Sequence, residues 1–210
     1  MHKRQAPIVV SFYTKHTPYE QEVTHLLTSL ERWGIDYDVR GLKAGANWQS
    51  NCNMKATFCR DLMAEHDRPL IWLDADAVVE RYPRLFWELD QYYDFAICPV
   101  GPRLETKFLS GTLWFNHSDA SRQLLDAWVQ ACAKPRHQWS SQEQDTPDQV
   151  FLHAAWRRVH AESAPQVLRT FWLPQSYCAI FDKPLVGNEP PVILHYQASG
   201  RFKHLVGSID

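Results

Sequence analysis

The chain has 210 residues, enough for one domain with a sizeable core. Its 45 % hydrophobic and 22 % charged residues exclude a disordered polymer. With 22 Lys+Arg against 24 Asp+Glu the net charge is -2, which excludes a general electrostatic attraction for nucleic acid.

Residues 8–13 read as a first strand. Thr17-Pro18-Tyr19-Glu20 has the form of a capping box with proline at the first helical position. The helix it opens carries Tyr19, Val23, Leu26, Leu27, Leu30 and Trp33 on one face and stops at Gly34. Residues 37–40 fit a short second strand, 41–48 a loop, and 51–65 a helix with Met54, Phe58 and Leu62 on one face. Leu70-Ile71-Trp72-Leu73 is a continuous apolar run, as expected of a strand buried on both faces. This β-α-β-α-β order marks a parallel sheet with covering helices.

Beyond residue 80 the pattern changes. A short helix is expected over 83–90 and a strand over 95–100. A further apolar run over 109–115 is interrupted by Ser110-Gly111. Ser118 caps a helix with Leu124, Leu125, Trp128 and Val129 inside, and Pro135 lies past its end. Residues 138–145 read as a polar loop. Thr146-Pro147-Asp148-Gln149 repeats the capping logic and opens a helix to about residue 159. Residues 171–173 and 192–194 are strand-like, and the tail over 195–203 is polar and basic. No repeat or linker divides the chain, so residues 1–210 read as a single α/β domain. Its central sheet is expected to be mostly parallel with flanking helices, and its C-terminal part smaller and antiparallel.

Five cysteines, an odd number without zinc spacing, point to buried thiols in a reducing compartment. After a basic N-terminus only Ile8-Val9-Val10 is apolar, too short for a signal-peptide core or a membrane span. A cytoplasmic location follows as the expectation. Nine tryptophans are many for the length, and exposure of some in a cleft is expected.

The chemistry concentrates just after the apolar run, at Asp74-Ala75-Asp76. In an extended segment residues i and i+2 point the same way, so the two carboxylates converge. Two converging carboxylates repel unless a proton or a cation sits between them. A hard divalent ion with oxygen ligands, Mn2+ or Mg2+, is the natural partner, and it keeps positions open for substrate phosphates. In open α/β sheets ligands bind beyond the carboxyl ends of strands, where this pair falls. The plain alternative is a turn with two solvated aspartates.

An ordered set of motifs extends this reading. Asn51 with Lys55, Trp72-Leu73-Asp74-Ala75-Asp76-Ala77, Leu109-Ser110-Gly111-Thr112, Asp148-Gln149 and Ile193-Leu194-His195-Tyr196-Gln197-Ala198-Ser199-Gly200 follow one another along the chain. Together, over residues 8–203, they resemble nucleotide-diphospho-sugar glycosyltransferases of the GT-A fold. The likeness is nearest to bacterial-type members and more distant to the glycogenin and galactinol-synthase group. It implies a Rossmann-like GT-A fold and metal-dependent transfer of a hexosyl or pentosyl group. The donor would be a nucleotide sugar, foremost a UDP-sugar. The acceptor stays open among glycan, protein, small molecule and modified nucleic acid.

The resemblance also implies roles. Asp74 and Asp76 would hold the ion against the donor diphosphate, with Asp74 turned towards the ribose or sugar, and His195 would complete the metal site. Lys55 would contact the donor, and either Arg201 or Lys203 the diphosphate. The backbone at Ser110 and Gly111 would approach the sugar, glycine permitting the closeness. Tyr13 and Thr14 would receive the base. Asp148 and Gln149 would face the reacting centre, with Glu143 and Asp145 as rival carboxylates. A carboxylate in the first turn of a helix also has a structural explanation, worth at most about 1 kcal/mol against the dipole.

Two other functions compete. Asp74-Ala75-Asp76-Ala77-Val78 fits the first motif of haloacid-dehalogenase-type phosphatases, with Asp74 as nucleophile and Asp76 as acid/base. No Gly-Asp dipeptide is present for that family's late acidic pair, and two strand candidates precede the motif. A non-catalytic sugar-nucleotide-binding protein is the third reading.

Overall fold

The computed structural model describes residues 5–101, 107–145, 147–162, 168–185 and 189–202. A six-stranded sheet runs through the molecule. Its strands are β1 (Ile8–Thr14), β2 (Tyr37–Leu42), β3 (Leu70–Leu73), β5 (Phe95–Pro99), β6 (Phe108–Phe115) and β7 (Thr170–Trp172), in the order β2-β1-β3-β6-β5-β7. The pairings β1/β2, β1/β3 and β5/β7 are parallel, and only β6 runs against its neighbours, as the reading of a mostly parallel sheet expects. A second sheet joins β4 (Ala77–Val79), β9 (Ile193–His195) and β8 (Ala179–Ile180) in the order β4-β9-β8. The β4/β9 pairing is antiparallel and β8/β9 parallel, so the smaller C-terminal part is a mixed sheet.

Among the described residues six α-helices accompany the sheets: α1 (Tyr19–Trp33), α2 (Trp48–His66), α3 (Asp119–Cys132), α4 (Ser141–Asp145), α5 (Pro147–Glu162) and α6 (Ala198–Phe202). The local signals that open and close the long ones are visible. Gly34 at φ 61 ends α1, and its amide bonds the carbonyls of Glu31 and Leu30. Thr17 and Glu20 serve the start of α1, although not as a reciprocal box: the Thr17 hydroxyl accepts from Tyr19 N at 3.3 Å, and Glu20 accepts from His16 N at 3.0 Å. Asn47 opens α2 by accepting from Ser50 N, and Ser118 opens α3 by accepting from Ser121 N. The predicted helix over 83–90 is two 3-10 turns, Arg84–Trp87 and Leu89–Gln91. The predicted loop over 138–145 contains α4, too short to show a period. Thr146 of the second capping pattern lies outside the described residues.

The sheet's two faces make two cores. Leu70 and Trp72 of β3 face a core shared with α2, α3 and α5, including Leu62, Leu125, Trp128, Leu152 and Trp156. Ile71 and Leu73 face the other core, with Leu26 and Leu30 of α1, Phe86, Trp114, Tyr177 and Ile193. Each fully buried leucine- or isoleucine-sized side chain contributes about 1.5–3 kcal/mol. β3 is therefore apolar at every position, and its carboxyl end is held rigidly from both sides. Trp72, Trp114, Trp128 and Trp156 are buried and the other tryptophans half-buried. Trp48 and Trp72 do border a cavity. No helix among the described residues is long and apolar enough to cross a membrane.

Candidate active site

A cavity of about 360 Å3 opens at the carboxyl end of β1 and β3. Tyr13, Thr14, Tyr19 and Trp48 line it together with Asn51, Lys55, Trp72, Asp74 and Asp76. Ser110, Gly111, Asp148, Gln149, Cys178, His195 and Gly200 complete much of the wall. Nearly every residue singled out in the sequence is thus gathered on one hollow.

Three ligand atoms, one each from Asp74, Asp76 and His195, lie within 4.8 Å of one another. Local geometry delivers the carboxylates. Asp74 extends β3, its amide bonding the Gly111 carbonyl at 2.9 Å, and a turn closed by Ala77 N on Asp74 O leads into β4. Tertiary pairing delivers the imidazole: β4 runs against β9 with Ala77 opposite His195.

Each of these side chains is gripped through its other atoms. Asp74 Oδ1 accepts from Trp72 Nε1 at 2.8 Å and meets Lys55 Nζ at 2.8 Å. Asp76 Oδ2 accepts from Ala198 N at 2.7 Å, at the start of α6. His195 Nε2 bonds the Thr112 hydroxyl at 2.9 Å, and Nδ1 stands 3.8 Å from Asp76 Oδ1. Outer partners of this kind orient metal ligands and are part of a metal site's design. The donor set of two carboxylates and one imidazole, each with a second anchor, fits Mn2+ or Mg2+ with places left for phosphate oxygens.

Burial works against charge on His195, yet Cys178 and Asp76 outweigh it and push its pKa up to about 10. Burial likewise opposes the Asp76 carboxylate, but His195 and the Ala198 amide hold its pKa below the usual carboxylate range. A proton on His195 is thus what a metal ion must displace.

β6 is irregular where it meets this site. Ile97 pairs with Leu113, but the next residue, Cys98, pairs with Leu109, so Ser110, Gly111 and Thr112 bulge away from β5. A Cβ on Gly111 would stand 2.9 Å from His195 Cε1, 3.1 Å from Nδ1 and 3.3 Å from Asp74 Oδ2. Gly111→Ala is therefore expected to displace His195 or Asp74 and to weaken Mn2+ binding by at least roughly tenfold. Calorimetric titration of the two proteins with Mn2+ checks this, and unchanged affinity would show that the ligands do not use this space.

Lys55 is more enclosed than a ligand-contacting lysine on a helix face. It is 5 % exposed, and its ammonium bonds Asp148 Oδ2 at 2.7 Å, Asp74 Oδ1 at 2.8 Å and the Ser110 carbonyl at 3.2 Å. It also lies 5.1 Å from the Trp72 ring centroid. Burial disfavours the ammonium, but Asp148 and Asp74 outweigh it and raise its pKa. Asp148, 6 % exposed, further accepts from the Ser110 hydroxyl at 2.6 Å, while Trp128 Nε1 donates to its carbonyl at 3.1 Å. Asp148 is not a solvated helix-start carboxylate. It is half of a buried ion pair that ties α5 to α2 and β6.

Of the rival carboxylates, Glu143 is taken by Lys134 at 2.7 Å and by Ser140 N, away from the cavity. The Asp145 side chain lies outside the described residues, as does Lys203. Arg201 pairs with Glu22 at 2.9 Å and borders a separate hollow beside α1, which shares only Asp76 with the first. The sequence reading did not assign Thr112 or Trp72 individual roles. Both stand within the quoted motifs, Trp72 two residues before Asp74, but nothing local says that Trp72 bonds Asp74 or that Thr112 bonds His195.

No family model and no curated protein sequence matches the chain. Solved structures do. A glycosyltransferase involved in the glycosylation of the major capsid of PBCV-1 superposes with a TM-score of 0.61 at 12 % identity, covering 96 % of this chain and 98 % of its own. Mouse xyloside xylosyltransferase 1, in its apo form, gives 0.54 at 14 % identity, covering 92 % and 98 %. The glycosyltransferase GlyE of Streptococcus pneumoniae TIGR4 gives 0.57 at 17 % identity over 92 % of this chain, which spans 55 % of that longer protein. These likenesses, with the strand order and the cavity beyond β1 and β3, do not favour the phosphatase alternative. In fold the chain is similar to these glycosyltransferases, consistent with a GT-A-type fold.

Proposed function

We propose that the protein is a metal-dependent glycosyltransferase that moves a sugar from a nucleotide-diphosphate sugar, foremost a UDP-sugar, to an acceptor. The observation that carries this reading is the convergence of Asp74, Asp76 and His195 on the rim of the cavity, each fixed by a second contact. Mn2+ or Mg2+ held there supplies Lewis-acid neutralisation of charge on the leaving diphosphate.

The other residues divide the donor between them. Tyr13 and Thr14, with Tyr19, line the cavity and meet the base. Ser110 and Gly111 offer backbone to the sugar, the Ser110 hydroxyl bonding Asp148. Lys55 serves as an internal counter-ion. It bridges Asp74 and Asp148 and keeps Asp74 Oδ1 turned inward, which leaves Oδ2 for the ion. Asp148 presents fixed negative charge towards the reacting sugar, where positive charge develops as the bond to the leaving diphosphate breaks.

A panel of nucleotide sugars tests this, each assayed for metal-dependent binding and for release of nucleoside diphosphate. Tight binding of one base and sugar class with turnover is the expected result. Binding without any turnover across a broad acceptor set would turn the reading into that of a binding protein. Release of phosphate from simple monoesters would overturn it.

A further inference from the structure

Thr112 is fully buried on the bulged part of β6, opposite Leu73 of β3. Its hydroxyl lies 2.9 Å from His195 Nε2. On the far side of the ring, Nδ1 faces the Asp76 carboxylate at 3.8 Å, and Cε1 and Nδ1 pack against Gly111. An imidazole ligates a metal through one nitrogen and donates a hydrogen bond through the other, and that partner decides which is which. Turning the ring by half a revolution would put Cε1 at the position of Nε2 and leave Thr112 facing carbon. It would also bring Nε2 round towards Gly111 and the carboxylates. Both orientations offer a nitrogen to the ion, and only one keeps the Thr112 bond.

We propose that Thr112 is a positioning residue: its hydroxyl accepts from His195 Nε2–H and thereby selects Nδ1 as the nitrogen that meets the divalent ion. This rests on the metal site assigned above. The hydroxyl's rigid place comes from β6, which is paired with β3 on the strand that carries Asp74. One backbone ladder therefore sets the carboxylate and the imidazole together.

The test uses Mn2+ alone, titrated into donor-free protein and followed by the electron paramagnetic resonance signal of the free ion. Thr112→Val keeps the shape and removes the acceptor. It is expected to weaken Mn2+ binding by roughly 10–100-fold, with thermal melting of the metal-free protein little changed. Thr112→Ser, which restores a hydroxyl, should bind like the parent. Equal or tighter binding by Thr112→Val would overturn the proposal, since that is what coordination through Nε2 predicts.

A second measurement needs no variant. With Zn2+ as a diamagnetic stand-in, the 15N shifts of the His195 ring should report a metallated Nδ1 and a protonated Nε2; the reverse assignment also overturns it. A parent protein that binds no Mn2+ at any pH would instead bring down the metal-dependent reading, and this inference with it.

Discussion

Excess chelator is expected to abolish sugar transfer, and added Mn2+ or Mg2+ to restore it. On the proposed mechanism, losing the ion would remove the group that takes charge from the leaving diphosphate, worth about 4 kcal/mol or more, which is roughly a thousandfold or greater in rate. The carboxylates are expected to differ. Asp76 is pressed between His195 and the Ala198 amide. Asp76→Asn removes charge and sets a side-chain amide against an N–H donor unless it flips, so either the ion or α6 loses a contact. Asp74→Asn keeps a carbonyl that still accepts from Trp72 and Lys55, the two donors that hold Oδ1 in place. Asp76→Asn should therefore be the worse of the two. Initial rates of nucleoside-diphosphate release, with and without chelator and with metal added back, measure all of this. Full turnover in excess chelator would remove the metal from the mechanism.

Asp148→Asn is expected to lower turnover by roughly 10²–10⁴-fold, the range for losing one positioned catalytic group, while donor binding persists. The structure adds a second effect that the sequence did not suggest. Lys55 would keep Asp74 but lose its shorter partner, and uncovering one side of a buried ion pair costs up to about 3–5 kcal/mol. The variant should therefore melt well below the parent, where a helix-dipole contact alone would move it little. The two effects separate in measurement. Rates are taken at a temperature where circular dichroism shows the variant folded, and donor affinity is measured on the same sample. Near-normal turnover in folded protein would confine Asp148 to structure. A variant that is slow only because it no longer binds donor would assign it to the donor site rather than to the reacting centre. Glu143 is no fallback, since Lys134 and Ser140 occupy it away from the cavity.

How much of this was legible beforehand depends on the range of the interaction involved. Residues 70–73 read as a strand buried on both faces because every side chain in them is apolar, and that is how β3 sits. Asp74 and Asp76 do converge, but through a turn closed by Ala77 N on Asp74 O rather than through the two-residue repeat of an extended chain. Gly34 and Ser118 marked helix ends because capping is decided within four residues. The break at Ser110-Gly111 was visible as an interruption of an apolar run, though not what it was for.

The sequence by itself determined the layered α/β alternation, the buried central strand and a pair of carboxylates at its end, all of which rest on local periodicity and backbone stereochemistry. Only the tertiary structure decided what those carboxylates face. Residue resemblance suggested His195, but it reaches Asp76 because β4 and β9 pair, strands of three residues each that are too short to show an alternation. Lys55 looked like a helix residue facing a ligand. It became an enclosed counter-ion because α2, β6 and α5 close around it, and burial of a charge depends on what packs over it. Thr112 is one of many threonines until a strand bulge sets its hydroxyl against an imidazole far along the chain. Long-range pairing of short segments leaves no periodic trace in a sequence, which is why the frame of the site was readable and its internal wiring was not.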